Sequence, residues 1–287
     1  DGTGGQIILS GGTSLLNAGG RILIQSGHGT TRSSGSLGIR SMDSGSQGVS
    51  GYVALSSGVS SNGNSGALNI GSGVAASGRG GTLSLTVGSG NSGAGGNMLI
   101  YAGDTTGSGI GGHIFMSAGT SDTHTGGTVS IRSGDGTSGT SGALALLTSN
   151  SGSDGMSGYT VLSTGVSSKG NSGALYIGSG TSNSGRGGSV YVSVGSGNSG
   201  TGGELFMASG IGGTTGGNMH LDAGNGATDT GGHVLIKSGG STATSSGSIS
   251  IYTSDSGSLG IGGYMVLSTG VASTGNSGGM YIGSGKS

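Results

Sequence analysis

At intervals of about fifteen residues, this chain places a glycine and follows it with aliphatic side chains two and four positions later. These anchor glycines are Gly5, Gly20, Gly35, Gly51, Gly66, Gly81, Gly96, Gly112, Gly127, Gly142, Gly158, Gly173, Gly188, Gly203, Gly217, Gly232, Gly247, Gly263 and Gly278. Thirteen of the 18 intervals are 15 residues, four are 16 and one is 14, a phase that random Gly/Ser sequence would not hold. Of the 38 positions at +2 and +4, only Thr160 is not Ile, Leu, Val or Met. The residue seven after the anchor is Gly in 16 of 19 repeats, with Met42, Ser149 and Ser254 as the exceptions. Any fold for this chain has to accommodate that unit nineteen times.

An apolar spacing of two is the period of a strand with one face covered. β-Branched residues and Leu dominate these positions, which suits a pleated surface. Helix is disfavoured, because glycine recurs every few residues and no 3.6-residue period is present. One strand per fixed-length coil, with glycine corners, predicts an all-β chain: a single-chain parallel β-solenoid (β-helix) of about 19 rungs. Its core ladder would comprise Ile22, Ile24, Val53, Leu55, Leu83, Leu85, Ile114, Met116, Leu175, Ile177, Val190, Val192, Val234, Ile236, Ile249 and Ile251. Nine residues after the anchor the side chain is always Gly, Ser, Ala or Thr, as at Gly90, Ser167 and Ala272, which reads as an opposing wall of small residues. Two aliphatic side chains are few against the entropy of ordering fifteen residues, so further apolar burial is expected. The +3 positions supply a candidate on the other side of the strand. Leu99, Phe115, Val161, Tyr176, Tyr191, Phe206, Leu235, Val266 and Tyr281 form a stripe suited to lateral packing.

A longer period overlies the short one. GYTVLSTGVSSKGNSGALYIGSG at Gly158 returns as GYMVLSTGVASTGNSGGMYIGSG at Gly263, and in weaker form at Gly51. Each span covers seven repeats, although the residue counts are 107 and 105. The array is therefore one continuous domain over 1–287, with super-repeat blocks at about 20–126, 127–231 and 232–287 (partial), and 1–19 closing a preceding block. At the strand spacing of a sheet, ~4.8 Å, seven rungs would give an axial repeat of ~33 Å. The terminal repeats keep the pattern without an amphipathic cap, and no signal peptide or initiator Met is present. The expectation is a segment of a longer chain, or rods that join end to end.

Composition narrows the function. Glycine accounts for 77 of 287 residues, 30% are hydrophobic, 7% are charged, and Pro, Cys and Trp are absent. Disorder ordinarily pairs low hydrophobicity with high net charge, and the net charge here is −1. Without a basic surface, nucleic acid is not an expected partner. No apolar run is long enough to insert in a membrane as a helix. The C-terminal GSGKS lacks the earlier Gly of a phosphate loop, since Met280 stands there. GSGNSG at Gly88–Gly93 and Gly195–Gly200 fits G-x-G-x-x-G, but about five chance matches are expected at this glycine content, and a dinucleotide site also needs a helix start. His28, His113, His124, His220 and His233 have no metal-ligand spacing. Asp43, Asn150 and Asp255 share one turn position, for which an Asx turn is sufficient reason. Glu204 is the sole Glu, leaving little material for paired acid–base catalysis. Neither enzyme activity nor a cofactor or metal is expected.

The pieces GVSSKGNSGALYIGSG, VGSGNSGTGG and GGHVLIKSGG resemble the very long Gly/Ser-rich tandem repeats of surface proteins in stramenopile algae and oomycetes. The resemblance spans the chain. It implies a secreted, array-forming, extracellular protein, with the tubular flagellar hairs (mastigonemes) of those cells as one destination. The function expected is that of a structural filament subunit at the cell surface, self-assembling with related chains by rod-to-rod packing and end-to-end continuation. Two alternatives make different demands. An adhesin or carbohydrate-binding module would use exposed Tyr and Asn to hold glycans. An ice-binding solenoid would need a regular Thr ladder, whereas the +1 positions are mixed, including Gln6, Arg21, Tyr52, His113, Glu204 and Tyr264. No N-x-S/T sequon occurs, so any attached glycan would be O-linked.

Overall fold

The computed structural model describes residues 4–285 and divides the chain into two units, Asp1–Leu144 and Ala145–Ser287. Among the described residues there is no β-strand and no helix, so the chain is not a β-solenoid or β-helix. The fifteen-residue period is nevertheless present in the backbone. In every repeat that can be followed to its end, the chain runs straight from the anchor and then bends. The bend begins ten residues after the anchor in all but three repeats, as at Ser61, Asn91, Ser168 and Thr242. In the repeats of Gly35, Gly142 and Gly247 it begins eleven residues on, at Ser46, Ser153 and Ser258.

The solenoid expectation fails on where the backbone hydrogen bonds go. A sheet would spend them along the whole length of successive straight segments. Here, instead, at eight anchors the N–H donates to the carbonyl of the glycine seven past the previous anchor, closing the bent loop on itself. In the first unit Gly20 reaches Gly12 at 2.7 Å, Gly35 reaches Gly27 at 2.9 Å, Gly112 reaches Gly103 at 2.9 Å, Gly127 reaches Gly119 at 2.8 Å and Gly142 reaches Gly134 at 2.9 Å. In the second unit Gly217, Gly232 and Gly247 reach Gly210, Gly224 and Gly239 at 2.8–2.9 Å. Among the described residues, no backbone–backbone bond involves an apolar position, so the segments are not laddered. The ~4.8 Å rung spacing, and the ~33 Å axial repeat computed from it, therefore lose their basis.

Side-chain supply explains why no ladder forms. No side chain among the described residues is buried, so the aliphatic positions have no core to complete. Strand pairing requires a covered apolar face to offset the cost of ordering the backbone, and this chain by itself has none. It exposes 28,800 Å², whereas a folded monomer of this length would expose roughly 11,000 Å².

The two glycines of each loop closure have different steric roles. A Cβ at anchor Gly20 would lie 2.7 Å from Gly12 N, and one at Gly112 would lie 3.0 Å from Gly103 N. A Cβ at Gly12, Gly27, Gly103, Gly119 or Gly134 would meet nothing within 4 Å. At Gly20 and Gly112 glycine lets two backbone stretches touch, whereas at Gly35 and Gly247 an added Cβ would be in ordinary contact, 3.5 and 3.7 Å from its nearest neighbour; the +7 residue has only to present a carbonyl. The open space at +7 agrees with the side chains Met42, Ser149 and Ser254 found there.

Candidate functional site

The straight segments carry the side chains singled out by their spacing. Leu175, Val190 and Leu205 at +2 remain 54, 53 and 54% exposed, whereas Tyr176, Tyr191 and Phe206 at +3 remain 92, 90 and 84% exposed. In these three repeats the side at +1 and +3 is the open one, a contrast that is absent at Leu23 and Ile24, each 57% exposed. The other +2/+4 residues named above (Ile22, Ile24, Val53, Leu55, Leu83, Leu85, Ile114, Met116, Ile177, Val192, Val234, Ile236, Ile249 and Ile251) are 50–70% exposed, with none buried. The open side holds Leu99, Phe115, Val161, Leu235, Val266 and Tyr281, all exposed. Residues two apart meet on it: the His113 and Phe115 rings lie 5.7 Å apart between centroids, tilted by 54°.

Small polar residues hold the bends. Ser at +9 accepts from the N–H three residues later, as in Asn17 to Ser14 (3.0 Å), His124 to Ser121 (3.0 Å), Gly170 to Ser167 (3.0 Å) and Thr244 to Ser241 (2.9 Å). Where +9 is Gly, a Cβ can collide with carbonyls across the bend: at Gly136 it would lie 2.6 Å from the oxygens of Gly139 and Thr140. The restriction at +9 therefore comes from the bend itself, and the wall of small residues read from the sequence is a row of turn-forming residues. Left-handed backbone is rarer than the glycine content implies. Among the described residues only Gly48, Gly93 and Gly200 have positive φ, at 135°, 76° and 75°. The last two end the GSGNSG stretches, so that motif makes a bend here, with no helix to complete a dinucleotide site.

The seven-repeat block also has a structural counterpart. Anchors Gly20 and Gly35 are tied to the preceding loop, Gly51, Gly66, Gly81 and Gly96 are not, and Gly112, Gly127 and Gly142 are tied again. In the second unit Gly158, Gly173, Gly188 and Gly203 are untied, Gly217, Gly232 and Gly247 are tied, and Gly263 and Gly278 are untied. At the first untied anchor of each block a hydroxyl replaces the glycine tie. Ser41, Thr148 and Thr253 donate to the carbonyls of Gly51, Gly158 and Gly263 at 2.7, 3.3 and 3.4 Å. Ser179 does the same for Gly188 at 2.7 Å. The first three hydroxyls belong to the repeats in which Met42, Ser149 and Ser254 displace the +7 glycine and one extra residue precedes the bend. Sequence alone shows the three exceptions without their cause, since a hydroxyl also stands directly before the +7 glycine in most other repeats, as at Ser57, Ser72 and Thr164.

Among the described residues no three His, Asp or Glu gather as metal ligands, and no enclosed cavity is present. No helix is long and apolar enough to cross a membrane. The GSGKS tail lies partly outside the described residues. What the geometry offers is surface: exposed apolar side chains on segments whose backbone is not engaged in a ladder. No protein family, curated protein or solved structure was found to match the chain.

Proposed function

We propose that this protein is a structural subunit of an extracellular filament or cell-surface appendage, functioning as an assembled array of like chains. The observation that carries this reading is the open-side stripe. Val161, Tyr176, Tyr191 and Phe206 occupy four successive repeats and remain largely exposed, far beyond the scattered apolar exposure of an ordinary monomer. A surface of 28,800 Å² gives the isolated chain a strong thermodynamic reason to be covered. Extended segments with unpaired backbone can also accept hydrogen bonds from a neighbouring chain. The resemblance to algal and oomycete surface repeats supplies the extracellular setting, with flagellar hairs as a proposed destination.

Sedimentation velocity over a concentration series tests the reading. The mass should rise with concentration. Replacing Tyr176, Tyr191 and Phe206 together by Ser should raise the half-assembly concentration by at least ~tenfold, because each aromatic contributes on the order of 1 kcal/mol or more at a packed contact. A chain that stays monomeric up to its solubility limit would refute the proposal. A second reading, carbohydrate binding, draws on the exposed rings of Tyr52, Tyr159 and Tyr264 at equivalent places in successive blocks. A glycan array without hits would remove it.

A further inference from the structure

We propose that Asn62 is a self-modifying site: with Gly63 it closes to a cyclic succinimide, sheds ammonia and opens with water to aspartate and isoaspartate. Two of the 13 asparagines, Asn62 and Asn225, are followed by glycine. Elsewhere the next residue carries a side chain, as in the Asn-Ser pairs at Asn64, Asn91, Asn171 and Asn198, and that side chain crowds the backbone nitrogen that must attack. Glycine leaves the nitrogen open and the backbone free to turn. The two sites therefore share their intrinsic chemistry, and the loops around them decide which one reacts first.

Asn62 is exposed and stands in the middle of the bend at Ser61–Gly63. The anchor that follows, Gly66, is untied, so no backbone hydrogen bond closes this loop from Gly58. The attacking nitrogen is free as well. One block later the Gly170 N–H donates to Ser167 Oγ at 3.0 Å. Ser60 stands in the place of Ser167, yet among the described residues the Gly63 N–H has no partner. Asn62 itself stands where the second block has Lys169, so the reactive pair belongs to the first block alone.

Asn225 is held. Within the second unit the Gly232 N–H donates to Gly224 O at 2.8 Å, closing the loop that contains Asn225 and Gly226. A Cβ on Gly226 would lie 2.6 Å from Thr230 O, so this glycine is packed closely across the bend. Ring closure needs Asn225 to rotate about its Cα–C bond and bring the Gly226 nitrogen onto its side-chain carbonyl carbon. The tied loop has to open before that rotation can occur.

At Asn62 the steps balance without oxidant or reductant. Solvent hydroxide removes the Gly63 N–H proton, and the nitrogen bonds to Asn62 Cγ. The Cγ–Nδ2 bond breaks, and Nδ2 takes a proton from water and leaves as ammonia. Water then adds to one of the two ring carbonyls. Opening at Cγ gives aspartate; opening at the backbone carbonyl carbon gives isoaspartate, whose main chain runs through Cβ and Cγ. Either product adds one negative charge to the formal net charge of −1, making it −2.

The test ages the full chain at one fixed pH and temperature. Peptide mapping by mass spectrometry follows each asparagine, with isoaspartate separated from aspartate by chromatography. Residue 62 should convert roughly two- to tenfold faster than residue 225, the range set by one net hydrogen bond. Gly232→Pro removes the N–H that ties the second loop, and should speed residue 225 by a similar factor while leaving residue 62 unchanged. Isoaspartate should appear at residue 62 together with aspartate. Equal rates at the two sites in the parent, no acceleration of residue 225 in Gly232→Pro, or aspartate without isoaspartate at residue 62 would overturn the proposal.

Discussion

A single methyl group, placed in turn at the two ends of one hydrogen bond, tests the account of the loops. Gly20 N–H donates to Gly12 O at 2.7 Å. A Cβ at residue 20 would stand 2.7 Å from Gly12 N, while ordinary van der Waals contact begins at 3.4 Å, so the two arms of the loop must separate by several tenths of an ångström. That separation carries the donor–acceptor distance to the outer limit of a hydrogen bond. Losing the bond costs about 0.5–1.5 kcal/mol, or roughly a two- to tenfold fall in the closed population. At residue 12 the same methyl meets nothing within 4 Å, and Gly12 is not among the glycines of positive φ. Gly12→Ala should therefore leave the loop closed, and by restricting the open chain should favour closure by about 0.4–1 kcal/mol. Amide hydrogen exchange read by NMR separates the cases. Residue 20 should lose protection in Gly20→Ala and retain or gain it in Gly12→Ala, while the Gly35 amide, bonded to Gly27 at 2.9 Å, serves as an internal reference. Equal effects from the two variants, or protection unchanged in Gly20→Ala, would refute the claim that close approach is what requires glycine at residue 20.

Two further predictions concern the bends. Gly93→Ala and Gly200→Ala each force a side chain into left-handed backbone and should loosen their bends by about 1–2 kcal/mol, read as faster limited proteolysis there; Gly88→Ala and Gly195→Ala, with open space around the added methyl, should cleave at the parental rate. Ser167→Ala removes the acceptor of the Gly170 N–H, and that amide should exchange roughly two- to tenfold faster, with Gly217 N–H unchanged as the reference.

The limit of sequence reading is visible at particular positions. The bend ten residues after the anchor follows from glycine phase, and the distinct sides of a segment such as Leu175–Tyr176–Ile177 follow from apolar alternation. Alternation says which way side chains point and nothing about which backbone groups bond. The inference from a two-residue period to a ladder therefore rests on a core this chain does not have. The glycine at +7 reads as a left-handed corner, whereas Gly103 and Gly119 are acceptors without positive φ. At +9, smallness reads as one wall of a core; Ser14, Ser121 and Ser167 show that it belongs to local turn chemistry. Long-range packing is overestimated because each of these residues answers a short-range demand.

Loop closure over seven to nine residues has a consequence for how such a chain is made. Segments that short find their ends in roughly 10–100 ns, far faster than residues are added during synthesis, at about 5–20 per second. Each loop can take its shape soon after it leaves the ribosome or a translocation pore, without waiting for a distant partner. An array built this way can be lengthened by whole blocks without slowing the formation of any one of its loops.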